Sequence, residues 1–152
     1  MLRKLRSGRQ RGGALAEWAL TVPVLACFAL GCVQFAVLFE TYMSVMNVTR
    51  DATRWIAIHP HNTDTTLATN INSRLPSNLS SSALTLTVSP SCASLTSGQC
   101  SGRTPGTMLT VTSTYSITSK LFLGSTFGWG PWTFTVPSTL PAYSMYMQVE
   151  PS

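Results

Sequence analysis

Glu17 is the residue whose placement most needs a chemical reason. It is one of five acids in a chain of 152 residues, and it stands at the entrance to residues 18–39, a stretch of 22 without a charged side chain. A carboxylate at the edge of lipid is costly unless it reaches water or meets a counter-charge. The residues alone allow two accounts. In one, Glu17 lies in the first turn of a helix, where the dipole favours negative charge, and its side chain snorkels to the headgroups. In the other, the acid is kept for a partner.

The remaining reactive residues offer little for catalysis. Enzymatic chemistry needs convergent acids, bases or nucleophiles. Beyond the apolar stretch stand Glu40, Asp51, Asp64 and Glu150, with His59 and His61 flanking a proline. No Gly-rich phosphate loop, Ser-His-acid order or Cys-His pairing accompanies them, and no further ligands stand close enough to the histidines for a metal. The expectation is a protein that binds, with no catalytic residue, no metal and no cofactor. Cys92 and Cys100 enclose seven residues and have no His or acid beside them. In an exported segment that spacing predicts a disulfide closing a short loop, with a contribution of about 2–3 kcal/mol. Cys27 and Cys32 lie inside the apolar stretch and read as small apolar fillers.

Charge is unevenly spread. The formal net charge is +5, and Arg3, Lys4, Arg6, Arg9 and Arg11 all precede Gly12 with no acid among them. After Gly12 the bases and acids are equal in number, five of each. The basicity therefore belongs to a short leader, without the interleaved aromatics or folded basic face that nucleic acid requires. Nucleic acid is not an expected partner. At about 1.5 Å per residue, residues 18–39 span roughly 33 Å, enough to cross a hydrocarbon core of about 30 Å. The run is too long for a secretory signal, and Glu40-Thr41-Tyr42 offers no small-residue cleavage pattern. Five cations before the helix place the N-terminus in the cytoplasm and all that follows outside it. The chain is thus expected in the inner (plasma) membrane, single-pass, with an extracytoplasmic C-terminal domain.

The helical period outlasts the membrane. Leu38, Tyr42, Val45, Thr49, Ala52 and Ile56 form one stripe, while Glu40, Asn47, Arg50, Asp51 and Arg54 lie largely elsewhere. The helix is expected to run to about Ile58 and stop before Pro60. Tyr42, Met43 and Met46, large and adaptable just outside the bilayer, are candidates for contact with a partner. Residues 65–74 predict a short second helix ended by Pro76. From Ser77 onward aliphatics alternate with Ser and Thr: Leu84, Leu86 and Val88, then residues 108–117, 134–136, and Tyr143, Met145, Met147 and Val149. Residues 90–105 read as a Ser/Gly-rich loop holding the disulfide. Residues 121–132 read as an apolar Gly-rich loop whose Phe127, Trp129 and Trp132 cover the sheet, touch headgroups or meet another subunit. The fold class is α+β: a long N-terminal transmembrane helix continuing into an exported domain with a short helix and a small antiparallel sheet of three or four strands. The expected divisions are a basic leader over 1–12, a membrane helix over 13–39, its exported extension over 40–58 and an exported α+β domain over 59–152.

The order of a basic tract, Gly12 and Gly13, small residues, Glu17, the aromatic Trp18 and an apolar helix resembles the class III signal sequence of Flp-type pilins, which a prepilin peptidase cuts on the cytoplasmic face. The stretch GALAEWALTVPVLACFALGCVQFAVLFETYMSVMNVTRDATRWIAI is similar to the TadE-like minor pilin domain. It has the Ala-x-x-Glu-aromatic-Ala start, a proline in the apolar segment at Pro23, and a finish at Arg50, Ala52, Thr53, Arg54 and Trp55; residues 140–150 give a looser echo. The resemblance implies a pilin-like fold and a minor pilin or pseudopilin that takes part in assembling or capping a tight-adherence (Flp-type) pilus. It implies as partners other pilin or pseudopilin subunits, the prepilin peptidase and the pilus assembly platform. A cut between Gly12 and Gly13 makes Glu17 the fifth mature residue and Trp18 the aromatic sixth; a cut after Gly13 makes Glu17 the fourth. Either cut creates an α-ammonium that the Glu17 carboxylate of a neighbouring subunit can meet. The rival reading is an uncleaved, single-pass, membrane-anchored binding or adhesion domain, and a membrane-bound enzyme stands behind it.

Overall fold

The computed structural model describes residues 9–96, 98, 100–122, 124–129 and 131–150, with the side chains of residues 9–12, 127–129, 132 and 134 outside that description. The leader bases Arg3, Lys4 and Arg6, and the side chains of Phe127, Trp129 and Trp132, therefore lie outside the described residues. The chain forms two compact units, Met1–Val37 and Leu38–Ser152. The boundary falls two residues before the expected end of the membrane helix.

The described residues of the first unit are helix. α1 (Arg9–Ile58) begins three residues before Gly12, inside the segment read as a leader, and takes Pro23 into its interior. A stretch of it is long and apolar enough to cross a membrane, and only 6% of its most apolar window is buried. A core helix of a water-soluble domain would bury most of such a window. Here Leu15, Phe28 and Phe35 are at least 70% exposed, as side chains meant for lipid or for another helix should be.

In the second unit the continuation of α1 is amphipathic. Val45, Thr49, Ala52 and Ile56 are buried, while Glu40, Asn47, Arg50, Asp51 and Arg54 are exposed, which is the predicted division of faces. The helix stops at Ile58, before Pro60. α2 (Asp64–Ser73) follows, with Leu67 and Ile71 buried; Thr63 caps it by accepting a hydrogen bond from the Thr66 amide, at 3.2 Å. Thr63→Ala is expected to cost about 1 kcal/mol, lowering the unfolding midpoint of the detergent-solubilised chain by about 4–6 °C. A midpoint within one degree of wild type would show that the cap is not formed in solution.

Three strands make the main sheet, β1 (Leu84–Ser89), β2 (Met108–Tyr115) and β5 (Tyr143–Gln148), all antiparallel in the order β1-β2-β5. Residues opposite one another in such pairs share a face. Leu84, Leu86 and Val88 stand across from Tyr115, Ser113 and Val111, and Val111 and Leu109 across from Met145 and Met147. The period-two sets read from the sequence thus converge on one inward face. It packs into a core with Val45, Val48, Ala52, Ile56, Leu67 and Ile71. One polar tie crosses it: the buried Thr49 hydroxyl lies 2.7 Å from the Val45 carbonyl oxygen and 2.6 Å from the Ser113 hydroxyl oxygen. The inward Tyr115 accepts a hydrogen bond from the Ser80 amide at 3.1 Å.

The segment read as an apolar loop is different. β3 (Thr126–Trp129) and β4 (Trp132–Thr135) form a separate two-stranded hairpin with Phe127 opposite Phe134 and Trp129 opposite Trp132. Phe134 and Thr135 therefore join β3 and not the main sheet, and the Val136 amide donates to the Ser125 carbonyl at 2.8 Å just beyond the hairpin strands. The alternation that marks a half-buried strand is missing from the Gly-rich run before Trp132, so the pairing rests on a neighbouring segment and not on local pattern.

Candidate functional site

Glu17 lies exposed on α1, eight residues in from Arg9 and so beyond the first turn, where the helix dipole would favour it, and no described side chain pairs with its carboxylate. Its backbone carbonyl accepts a hydrogen bond from the Thr21 hydroxyl at 2.8 Å, a contact that leaves the acid itself untouched. Trp18, one position on, is 67% exposed. The carboxylate is thus presented to whatever lies beside the helix. An anion so placed in or near lipid can accept from an ammonium or guanidinium of another chain, where a lowered dielectric strengthens the pair.

Gly12 and Gly13 both fall within α1. A Cβ added at Gly13 would meet nothing within 4 Å. Glycine in a helix interior costs about 1 kcal/mol relative to alanine, and packing within this chain gives it no return. Of the proposed contact residues, Met43 is exposed while Tyr42 and Met46 are half-buried. Tyr42 and Met46 therefore offer a partner only part of their surface.

Cys92 and Cys100 form the disulfide, with Cα atoms 5.5 Å apart, and Cys27 and Cys32 are free and exposed on α1. Beside the disulfide lies the contact that the sequence reading missed. The Arg103 side chain is wholly buried. Its Nη2 donates to Asp64 Oδ1, its Nε to the Pro90 carbonyl at 2.9 Å and its Nη1 to the Asn62 carbonyl at 3.0 Å. Asp64 Oδ2 accepts from the Cys92 amide at 2.8 Å, and the Asp64 amide donates to the Cys92 carbonyl at 2.9 Å. One guanidinium therefore ties the disulfide loop to the start of α2. Gly102, at φ +86°, sets the approach; a Cβ there would come within 3.3 Å of Pro90 and would also have to occupy a left-handed conformation. The signal available in sequence was weak: an Arg inside a Ser/Gly loop and an acid in the first turn of a helix, 39 positions apart.

His59 stacks on Trp55 with ring centroids 4.7 Å apart, and its Nδ1 lies 3.0 Å from the Trp55 carbonyl oxygen. Among the described residues no three of His, Cys, Asp and Glu converge on a common point. Asp64 and His59 are thus occupied in holding the fold.

Residues 12–54 match the family model described as TadE-like protein. The matched span runs from Gly12, through Glu17 and the apolar stretch of α1, to Arg54. No curated protein and no solved structure matches the chain.

Proposed function

We propose that this chain, built on the TadE-like segment of residues 12–54, is a minor pilin or pseudopilin whose work is binding and not catalysis. It takes part in assembling or capping a tight-adherence pilus. Glu17 is the residue that meets another subunit, α1 is the packing element within the membrane, and the unit Leu38–Ser152 is the face that distinguishes this subunit. The observation that carries the reading is Glu17 itself: an exposed acid, unpaired among described side chains, at the start of the apolar run of a helix whose apolar surface is also exposed.

The leader supplies the reason for keeping such an acid. Cutting beside Gly12 or Gly13 creates an α-ammonium at the membrane edge, and the carboxylate of a neighbouring copy or related subunit can pair with it. The same cut removes all five leader bases, taking the formal charge from +5 to about zero, and so loosens attraction to the anionic inner leaflet, worth about 1 kcal/mol per base. Before the cut the chain is a bilayer anchor. After it the chain is free to enter an assembly.

The test is the intact mass of the membrane-extracted protein from cells with and without an active prepilin peptidase. A chain starting at Gly13 or Ala14 only when the peptidase is present is the expected result, and the mass decides the register. A start at Met1 in both strains would overturn the reading and leave a tethered ectodomain in its place.

A further inference from the structure

A groove of about 310 Å³ opens between the second half of α1 and α2 in the unit Leu38–Ser152. Its floor is Val48 and Ile71, and Trp55 and Ile58 stand along its wall. Ile58 is 46% exposed, so the apolar surface reaches the opening. Arg54, Arg74 and Asp51 complete the lining and are exposed. Neither guanidinium takes part in a hydrogen bond or ion pair among the described residues, although the Arg74 amide caps α2 by donating to the Ile71 carbonyl at 3.0 Å; the described salt bridge joins Arg103 and Asp64 instead. Asp51 cancels one of the two cations. What remains is an apolar trough with one net positive charge at its rim, which suits an apolar side chain with a carboxylate beside it.

The chain itself carries such a group within the same unit. Phe39 is 56% and Met43 43% exposed, with the exposed Glu40 next to them. At 100° per residue Phe39, Met43 and Glu40 fall within a single arc of about 100° on α1, so they form one ridge. The other acids of this unit fit less well. Asp51 lines the groove, Asp64 holds Arg103, and Glu150 follows the buried Val149.

We propose that the groove between α1 and α2 receives the Phe39–Glu40–Met43 ridge of a second copy of this chain, with Glu40 set against Arg54 and Arg74. The inference rests on the reading that the chain works by assembling with other subunits. Glu40 and Arg54 are fourteen residues apart on one helix, so the second copy is displaced by about 21 Å along the helix axis. Ridge and groove are different patches, so the contact is heterologous: each copy that offers a groove still offers a ridge. Such a contact extends into a row and does not close as a pair. Asn78 donates to Glu40 at 3.2 Å and to the Ser44 hydroxyl at 2.9 Å, which holds the ridge carboxylate in place without neutralising it.

The experiment is cross-linking of the full chain on whole piliated cells, where a copy displaced by about 21 Å along the helix axis has left the bilayer for the fibre. Two differently tagged copies are co-expressed, one with Met43→Cys and the other with Ile58→Cys, both with Cys27→Ala and Cys32→Ala to remove the free thiols. A mixed-tag disulfide product that needs both substitutions is the expected result. Glu40→Gln keeps an acceptor for Asn78 but removes the charge, and should lower that product about fivefold, the upper end for an exposed pair. Arg54→Glu with Arg74→Glu should abolish it, and adding Glu40→Arg should restore it. Equal product from Met43→Cys on both copies, or no response to Glu40→Gln, would overturn the proposal. The N-terminal mass is read in the same samples. A trimmed chain without the mixed product sinks the groove contact and leaves the pilin reading standing. An untrimmed chain with the mixed product sinks the pilin reading and leaves the groove contact standing.

Discussion

Glu17→Gln is expected to insert, lose its leader and accumulate as the wild type does, while surface pili fall about tenfold. Insertion should survive because removing a charge from the membrane edge lowers the cost of entry and cannot raise it. Folding should survive because no described side chain leans on the carboxylate. The loss comes from the partner. Two unit charges 4 Å apart attract by about 4 kcal/mol at an effective dielectric of 20, and desolvation offsets most of that. A residue of about 1.4 kcal/mol corresponds to tenfold in a binding equilibrium. Glutamine preserves shape and hydrogen bonding, so the comparison isolates charge. Pili counted by electron microscopy, with the intact mass measured in parallel, give the answer. Wild-type piliation in a correctly trimmed Glu17→Gln strain would take the carboxylate out of assembly.

Asp64→Ala is expected to be the most damaging single change in the unit Leu38–Ser152 away from its apolar core, at about 3 kcal/mol. It strips the ion partner from a guanidinium whose side chain has no exposure, and it removes the acceptor of the Cys92 amide. Breaking a buried pair from one side costs about 3–5 kcal/mol because the other charge is left behind. The lower end applies here, since Asp64 is itself 32% exposed and water can enter in its place. Loss of the disulfide should cost less, about 2.5 kcal/mol from the entropy of an eight-residue separation. Thermal unfolding of the detergent-solubilised chain orders the two. The pair is also open to a double-mutant cycle: Asp64→Ala combined with Arg103→Leu should cost less than the sum of the two alone, since neither charge is then left unpaired. Additive losses would mean that the two side chains act independently, with the carbonyls of Pro90 and Asn62 sufficient for Arg103.

Much of this architecture is local and so could be read without coordinates. The apolar run of residues 18–39, the stop before Pro60 and the amphipathic stripe from Val45 to Ile56 depend on composition and a period of 3.6. The three main strands declared themselves through alternation, because a sheet with one face on a core repeats every second residue. The disulfide was legible because its two cysteines close a short loop. Glu17 and Trp18 stood out for the same kind of reason: their oddity is set by their immediate neighbours.

The tertiary structure decided what depends on segments distant in the chain. Phe127 stands opposite Phe134 because two short pieces meet as a hairpin; alternation marked residues 134–136 as strand, but the partner of that strand was not legible in the Gly-rich run before it. Arg103 looked like one more loop cation until folding placed it under Asp64, Pro90 and Asn62; burial of a charge is a property of the surroundings that close over it. The groove exists only because α2 lies beside Trp55 and Ile58, which turns Arg54 and Arg74 into a rim. From sequence alone came a helix long and apolar enough to cross a membrane, the acid at the start of its apolar run and the class of fold, since each follows from residues within a few turns of one another. Which charges are buried in pairs and which stand open to another molecule came from packing alone, because solvation is settled by what arrives from far along the chain.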